Sequence, residues 1–187
     1  MKKAGLTSAF GKMRVLVFLA VVAFAFEACP SSSSPTAEQS SKPSSCDAAE
    51  YKQFDFWIGD WDAFDIGSQT PSGRARVTRI LEGCVLHEDY EGTDGHKGES
   101  FSIYDRSRRV WHQSWVTNRG ELLVIEGTFQ SGEMVLSGAD RTADGKERQV
   151  RGIWKPERDG VRETAARSKD GGKSWEPWFD IIFRSHR

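Results

Sequence analysis

Long apolar runs are nearly absent from this 187-residue sequence. The longest, Val15–Phe26 (VLVFLAVVAFAF), has the length of a signal h-region and is too short for a comfortable membrane span. With Lys2, Lys3, Lys12 and Arg14 before it, residues 1–28 read as a secretion signal, with a single anchor helix as the alternative. Cysteine is scarce, with three in all, and so is histidine, with four. No zinc-type spacing arises from them. Basic residues number 26 against 27 acidic ones. Without residues 1–28, which hold four of the basic residues and Glu27, 22 basic face 26 acidic. No Lys/Arg cluster interleaved with aromatics occurs, which argues against a nucleic-acid partner. Beyond residue 53 no long segment carries a helical period, which argues against a helical domain.

What is present begins with Ala28-Cys29, a small residue before a cysteine directly after the h-region. It resembles the bacterial lipoprotein signal, and implies lipidation of Cys29 and attachment to the cell envelope, outer-membrane or periplasm-facing. Glu27 departs from that pattern, and ordinary cleavage after Ala25 is the alternative. Residues 29–45 are mostly Ser, Pro and small polar types, cannot offset their ordering entropy by burial, and read as a flexible tether. The domain is then 46–187. In an exported chain the two remaining cysteines pair, which predicts a Cys46–Cys84 disulfide; a thiolate nucleophile is the alternative.

Asp47 and Glu50 are spaced for a capping box, which predicts a helical turn over 48–53. Short alternating runs follow at 60–66, 74–82, 84–91, 98–104, 110–117, 121–129, 133–139, 148–155, 161–168 and 175–184. Turn signals such as Asp94-Gly95, Asn118-Arg119-Gly120 and Asp159-Gly160 separate them. About ten closely spaced strands without covering helices must hide their edges. The expected fold is an all-β, antiparallel up-and-down barrel, with a β-sandwich as the alternative. Alternation puts Leu86, Glu88 and Tyr90 on one face, and Trp111, Gln113 and Trp115 on one face of the next run but one. A barrel lined by them is mostly apolar with a few polar groups, the makeup of a small-molecule pocket.

Several stretches together, FDFWIGDWDAF, GCVLHEDYEG, GESFSIYD, VWHQSWV and SKDGGKSWEPWFD, resemble a bacterial family described as a domain of unknown function. Its members open with an FDFWxGxWxV-like segment and are often exported; Ala63 stands where the family more often has Val. The family is similar to lipocalin-like (calycin) barrels. The resemblance implies that Gly59 and Trp61 form the Gly-x-Trp of a first strand, that Arg184 packs over Trp61 to close the barrel, and that the interior binds ligands.

The remaining motifs divide between structure and chemistry. Ser168-x-Asp170-x-Gly172-x-x-Trp175 fits an Asp-box, which is first of all a hairpin. His87 and Glu88 are adjacent on a strand and so diverge; His96 falls in a turn and His186 near the chain end. His112 is the candidate for haem ligation, with no cofactor as the leading expectation. Glu88 on an apolar face must meet a ligand, water, or an arginine such as Arg76 or Arg151. The leading expectation is a binder of a small, partly apolar molecule held by Glu88, Tyr90, Trp111, Gln113 and Trp115. An isomerase or hydrolase with Glu88 as acid/base is the second reading, and an envelope interaction module with a filled barrel the third. Phe54, Phe56 and Trp57 are expected to seal one end.

Overall fold

The structure, a computed structural model, describes residues 46–142 and 144–187. The expectations for the signal, for Cys29 and for the tether lie outside the described residues. Ten strands follow one another: β1 (Gly59–Asp65), β2 (Gly73–Ile80), β3 (Val85–Gly92), β4 (Lys97–Asp105), β5 (Val110–Thr117), β6 (Leu122–Gln130), β7 (Glu133–Arg141), β8 (Glu147–Glu157), β9 (Gly160–Ser168) and β10 (Glu176–Ser185). Each pairs antiparallel with the next, and β1 pairs with β10, so the sheet closes as an up-and-down barrel with no free edge. Short polar hairpins at the expected places explain why the expected and observed strand limits agree within two residues.

The alternating strand directions put the β2–β3, β4–β5, β6–β7 and β8–β9 turns at one end, together with the segment that leads into β1. That end is closed. Two 3-10 turns, Ala49–Lys52 and Asp55–Trp57, lie across it. The expected capping box does not form, because Ala48 occupies the N-cap and supplies no side-chain bond. The closure comes from aromatic packing instead. Phe54 is fully buried and sits edge-on to Trp111 and Trp154, each 5.6 Å away between ring centroids. Trp57 stacks on Trp61 at 6.1 Å and meets Phe183 edge-on at 4.5 Å, while Trp61 donates its indole N–H to the Trp57 carbonyl.

Two further links fasten the plug to the wall. Cys46 and Cys84 form a disulfide across 38 residues, which ties the first described residue to the β2–β3 turn. Arg79 reaches from β2 to the carbonyls of Tyr51 and Gly83 and to the Asp55 carboxylate.

Arg184 does not cap Trp61. The β1–β10 register sets Ser185 opposite Trp61 and Arg184 opposite Asp62. Asp62 faces outward, so Arg184 does too, and its guanidinium lies over the outer ring of Phe64 at 4.9 Å. Phe183, one residue earlier and facing inward, shields the indoles in its place.

Candidate functional site

The other end of the barrel is open and leads into a cavity of about 460 Å³. Its depth is bounded by the plug residues Trp154 and Phe183 with Ile125, and its mouth by His96, Arg119, Glu121 and Trp178. A volume of this size, walled mostly by apolar and aromatic groups with charged and polar ones among them, lies within the range of small-molecule sites. A groove of about 550 Å³ outside the plugged end, between Tyr51, Tyr104 and Arg108, is an open surface feature and encloses nothing.

Of the residues expected to meet a ligand, Glu88, Tyr90, Gln113 and Trp115 line the cavity. Trp111 shares their inward face but lies at the plugged end, buried against Phe54 and Tyr104, and donates to the Gln53 side chain at 3.1 Å. It belongs to the plug and not to the cavity wall. The fault lies in what alternation reports: it gives the face of a strand and says nothing of the height along the barrel.

Small residues make room for the large ones. A Cβ at Gly98 would stand 2.2 Å from the Trp115 ring, and one at Gly73 2.5 Å from the Tyr90 hydroxyl. Both glycines point inward, and the rings fill the space that their missing side chains leave. Gly98→Ala therefore forces Trp115 to shift, with an expected loss of about 1–3 kcal/mol. Chemical unfolding followed by tryptophan fluorescence measures both the loss and the changed environment of the ring.

The polar groups of the cavity come from strands on both sides. On β3, Glu88 is buried and accepts a bond from Ser100 Oγ on β4 at 2.8 Å. Beside it Gln113 Nε2 donates to Ser102 Oγ at 3.0 Å. Neither arginine considered for Glu88 reaches it. Arg76 points outward to Asp60, and Arg151 lies outside over the Trp175 ring at 4.3 Å. With neither arginine beside it, burial pushes the Glu88 carboxyl up to about 7, against the pull of the Ser100 hydroxyl and of His87.

Sequence reasoning missed Glu163. It stands on β9 among Val161, Ala165 and Arg167 and faces the cavity. It keeps some accessible surface although it sits deep inside the barrel, because what it exposes is the cavity wall. Burial raises its carboxyl well above the ordinary value, and the charge of Glu88 raises it further. The Trp154 indole N–H opposes that shift, but it makes no hydrogen bond of good geometry and is buried without a partner. The cavity thus holds two carboxyls that depress each other's ionisation. Arg167 is drawn off toward the mouth, 3.1 Å from Asp140 and over the Trp178 ring. Trp178 reaches the mouth through a bulge between Pro177 and Phe179.

The other motifs settle as structure. His112 points to the outer face, where its ring nitrogens meet Glu126 and Ser114, each at 2.8 Å; it does not enter the cavity, as a haem ligand there would have to. His87 stacks on Phe101 outside and meets Glu99. His186 meets Asp62 on the outer wall. His96 alone reaches the cavity, at its mouth, 3.8 Å from Glu121. The Asp-box is a hairpin: Asp170 accepts from the Lys173 and Ser174 amides, Gly172 has φ +88°, and Trp175 bonds the Gly172 carbonyl. Compared with known proteins, the chain matches no family model and no curated sequence.

Proposed function

We propose that this chain is an exported, lipid-anchored envelope protein that binds a small, partly apolar molecule inside a lipocalin-like barrel. The observation that carries the reading is the 460 Å³ cavity at one end of a closed barrel, with Tyr90, Trp115 and Leu123 as apolar wall and Glu88, Gln113 and Glu163 as polar contacts. Most of the ordering cost of such a site is met in advance by the closed sheet and the fastened plug, which leaves the ligand's own burial to drive binding. The Cys46–Cys84 disulfide accords with export, since such bonds persist in oxidising compartments. The envelope location and the lipid on Cys29 rest on the sequence, as does the likeness to the family with the FDFWxGxWxV-like opening. An interaction module with a filled barrel loses its main support, because the interior holds a cavity.

One observation favours a second reading. A Glu88 carboxyl near 7 is suited to give and take protons at neutral pH, as an isomerase or hydrolase base would. Binding leads because burial, the largest cause of the raised pKa, calls for no catalytic role. Native mass spectrometry of protein purified gently from its host tests the proposal. A co-purifying small molecule in stoichiometric amount is expected. Empty protein, with no shift on exposure to a host metabolite extract, would sink the binding reading. Catalysis would instead convert that extract's ligand on prolonged incubation, and Glu88→Gln would stop the conversion.

A further inference from the structure

We propose that the cavity selects a small organic cation, an ammonium on an apolar or aromatic body, and seats the charged group between Glu88 and Glu163. The inference rests on the reading that the cavity takes a small molecule, and it names the class. Three features of the site support it. First, the charge deep in the cavity is one-sided. Two carboxyls face it from β3 and β9, while the arginines near the mouth have acids of their own: Arg119 pairs with Asp94, and Arg167, whose Nε is buried without a partner, shares Asp140 with Arg148. The remaining titratable groups on the wall are Tyr90, His96 and Glu121. The neighbours paired with the two glutamates add no compensating charge. They are Val77 and Ser100 for Glu88, and Trp154 and Ile181 for Glu163. On β3 itself, His87 and Asp89 point outward and act on Glu88 in opposite directions.

Second, the Trp154 indole N–H is buried without a partner, and the carboxyl near it is that of Glu163. A neutral acid leaves that donor poorly used, whereas an ionised Glu163 would turn it into a charge-assisted donor. An arriving cation supplies the reason for Glu163 to ionise. Third, the rings of Tyr90, Trp115, Trp154 and Trp178 line the same space, and aromatic faces attract ammonium groups.

The proton balance follows. In the empty cavity at least one carboxyl carries a proton, because two buried like charges disfavour each other. When the ammonium enters with its own protons in place, that carboxylic O–H breaks, the carboxylate left behind pairs with the cation, and the proton goes to solvent. Binding of a cation therefore weakens as pH falls, while binding of a neutral molecule of the same shape does not.

Three probes of matched shape test the inference on the full-length protein: 2-phenylethylamine, 2-phenylethanol and 3-phenylpropionate, titrated by calorimetry in buffers of different protonation enthalpy. At about pH 8 the amine is expected to bind at least about tenfold more tightly than the alcohol, with proton release, and the advantage is expected to shrink at about pH 5.5. Glu163→Gln and Glu88→Gln, with folding checked by circular dichroism, are each expected to narrow the amine-to-alcohol ratio. If the alcohol or the carboxylate binds as tightly as the amine, the cation inference is overturned while the small-molecule reading stands. If none of the three binds, the cation inference falls and the small-molecule reading loses its support as well.

Discussion

Phe54→Ala is expected to destabilise the domain by about 3–5 kcal/mol, the usual cost of deleting a fully buried aromatic side chain. Few positions combine so many contacts. The ring touches Phe56, Trp111 and Trp154 and has no exposed surface. Its loss would leave a hole between the plug and the cavity floor, since Trp154 belongs to both. The surrounding strands are held by a closed ladder and have little freedom to collapse into the space. Urea unfolding measures the effect as a lower midpoint with an unchanged slope. A double-mutant cycle with Trp111→Ala should give a coupling of about 0.5–1.5 kcal/mol beyond the area terms. A loss under about 1 kcal/mol would show that the N-terminal segment rests on the barrel without being part of its core.

That segment illustrates how far sequence alone reaches. FDFWIGDW announced a closing element by its aromatic density, and the Gly-x-Trp placed the start of β1. What the residues could not convey was the axial position of each inward side chain. Leu86, Glu88 and Tyr90 alternate faultlessly, yet Leu86 ends in the core and Tyr90 near the mouth. Trp111 and Trp115, four residues apart, separate in the same way into plug and cavity.

Glu163 was legible by the same rule, because Val161, Glu163, Ala165 and Arg167 alternate with Arg162, Thr164 and Ala166. Both faces of that strand carry charged residues, however, so no apolar background made the carboxylate stand out. Arg184 shows the opposite case. A resemblance placed it over Trp61, and a one-residue difference in register sent it to the outer wall. Trp178 lay beyond alternation altogether, since the bulge at its position breaks the period of two.

The pair of carboxyls, Glu88 and Glu163, should make the domain less stable as pH rises. The sign follows from linkage. The Glu88 carboxyl moves from an ordinary 4.5 to about 7 in the folded protein, so the native state binds its proton more tightly than the unfolded chain does. Stability linked to this group is complete below about pH 4.5 and is lost as pH climbs through about 7. The shift corresponds to roughly 3 kcal/mol by the usual conversion. Glu163, shifted in the same direction by burial and by Glu88, extends the loss upward. Urea unfolding at intervals from about pH 5 to about pH 8 would record the decline. Glu88→Gln should flatten it by removing one titration and relieving the other, and the double substitution with Glu163→Gln should remove nearly all of it. A profile equally steep in the double variant would assign the decline to other groups. A flat profile in the parent protein would mean that the two carboxyls remain hydrated in the cavity. The same relief should raise stability at neutral pH in the glutamine variants while their preference for a cationic probe declines, so that one pair of residues is read in two independent measurements.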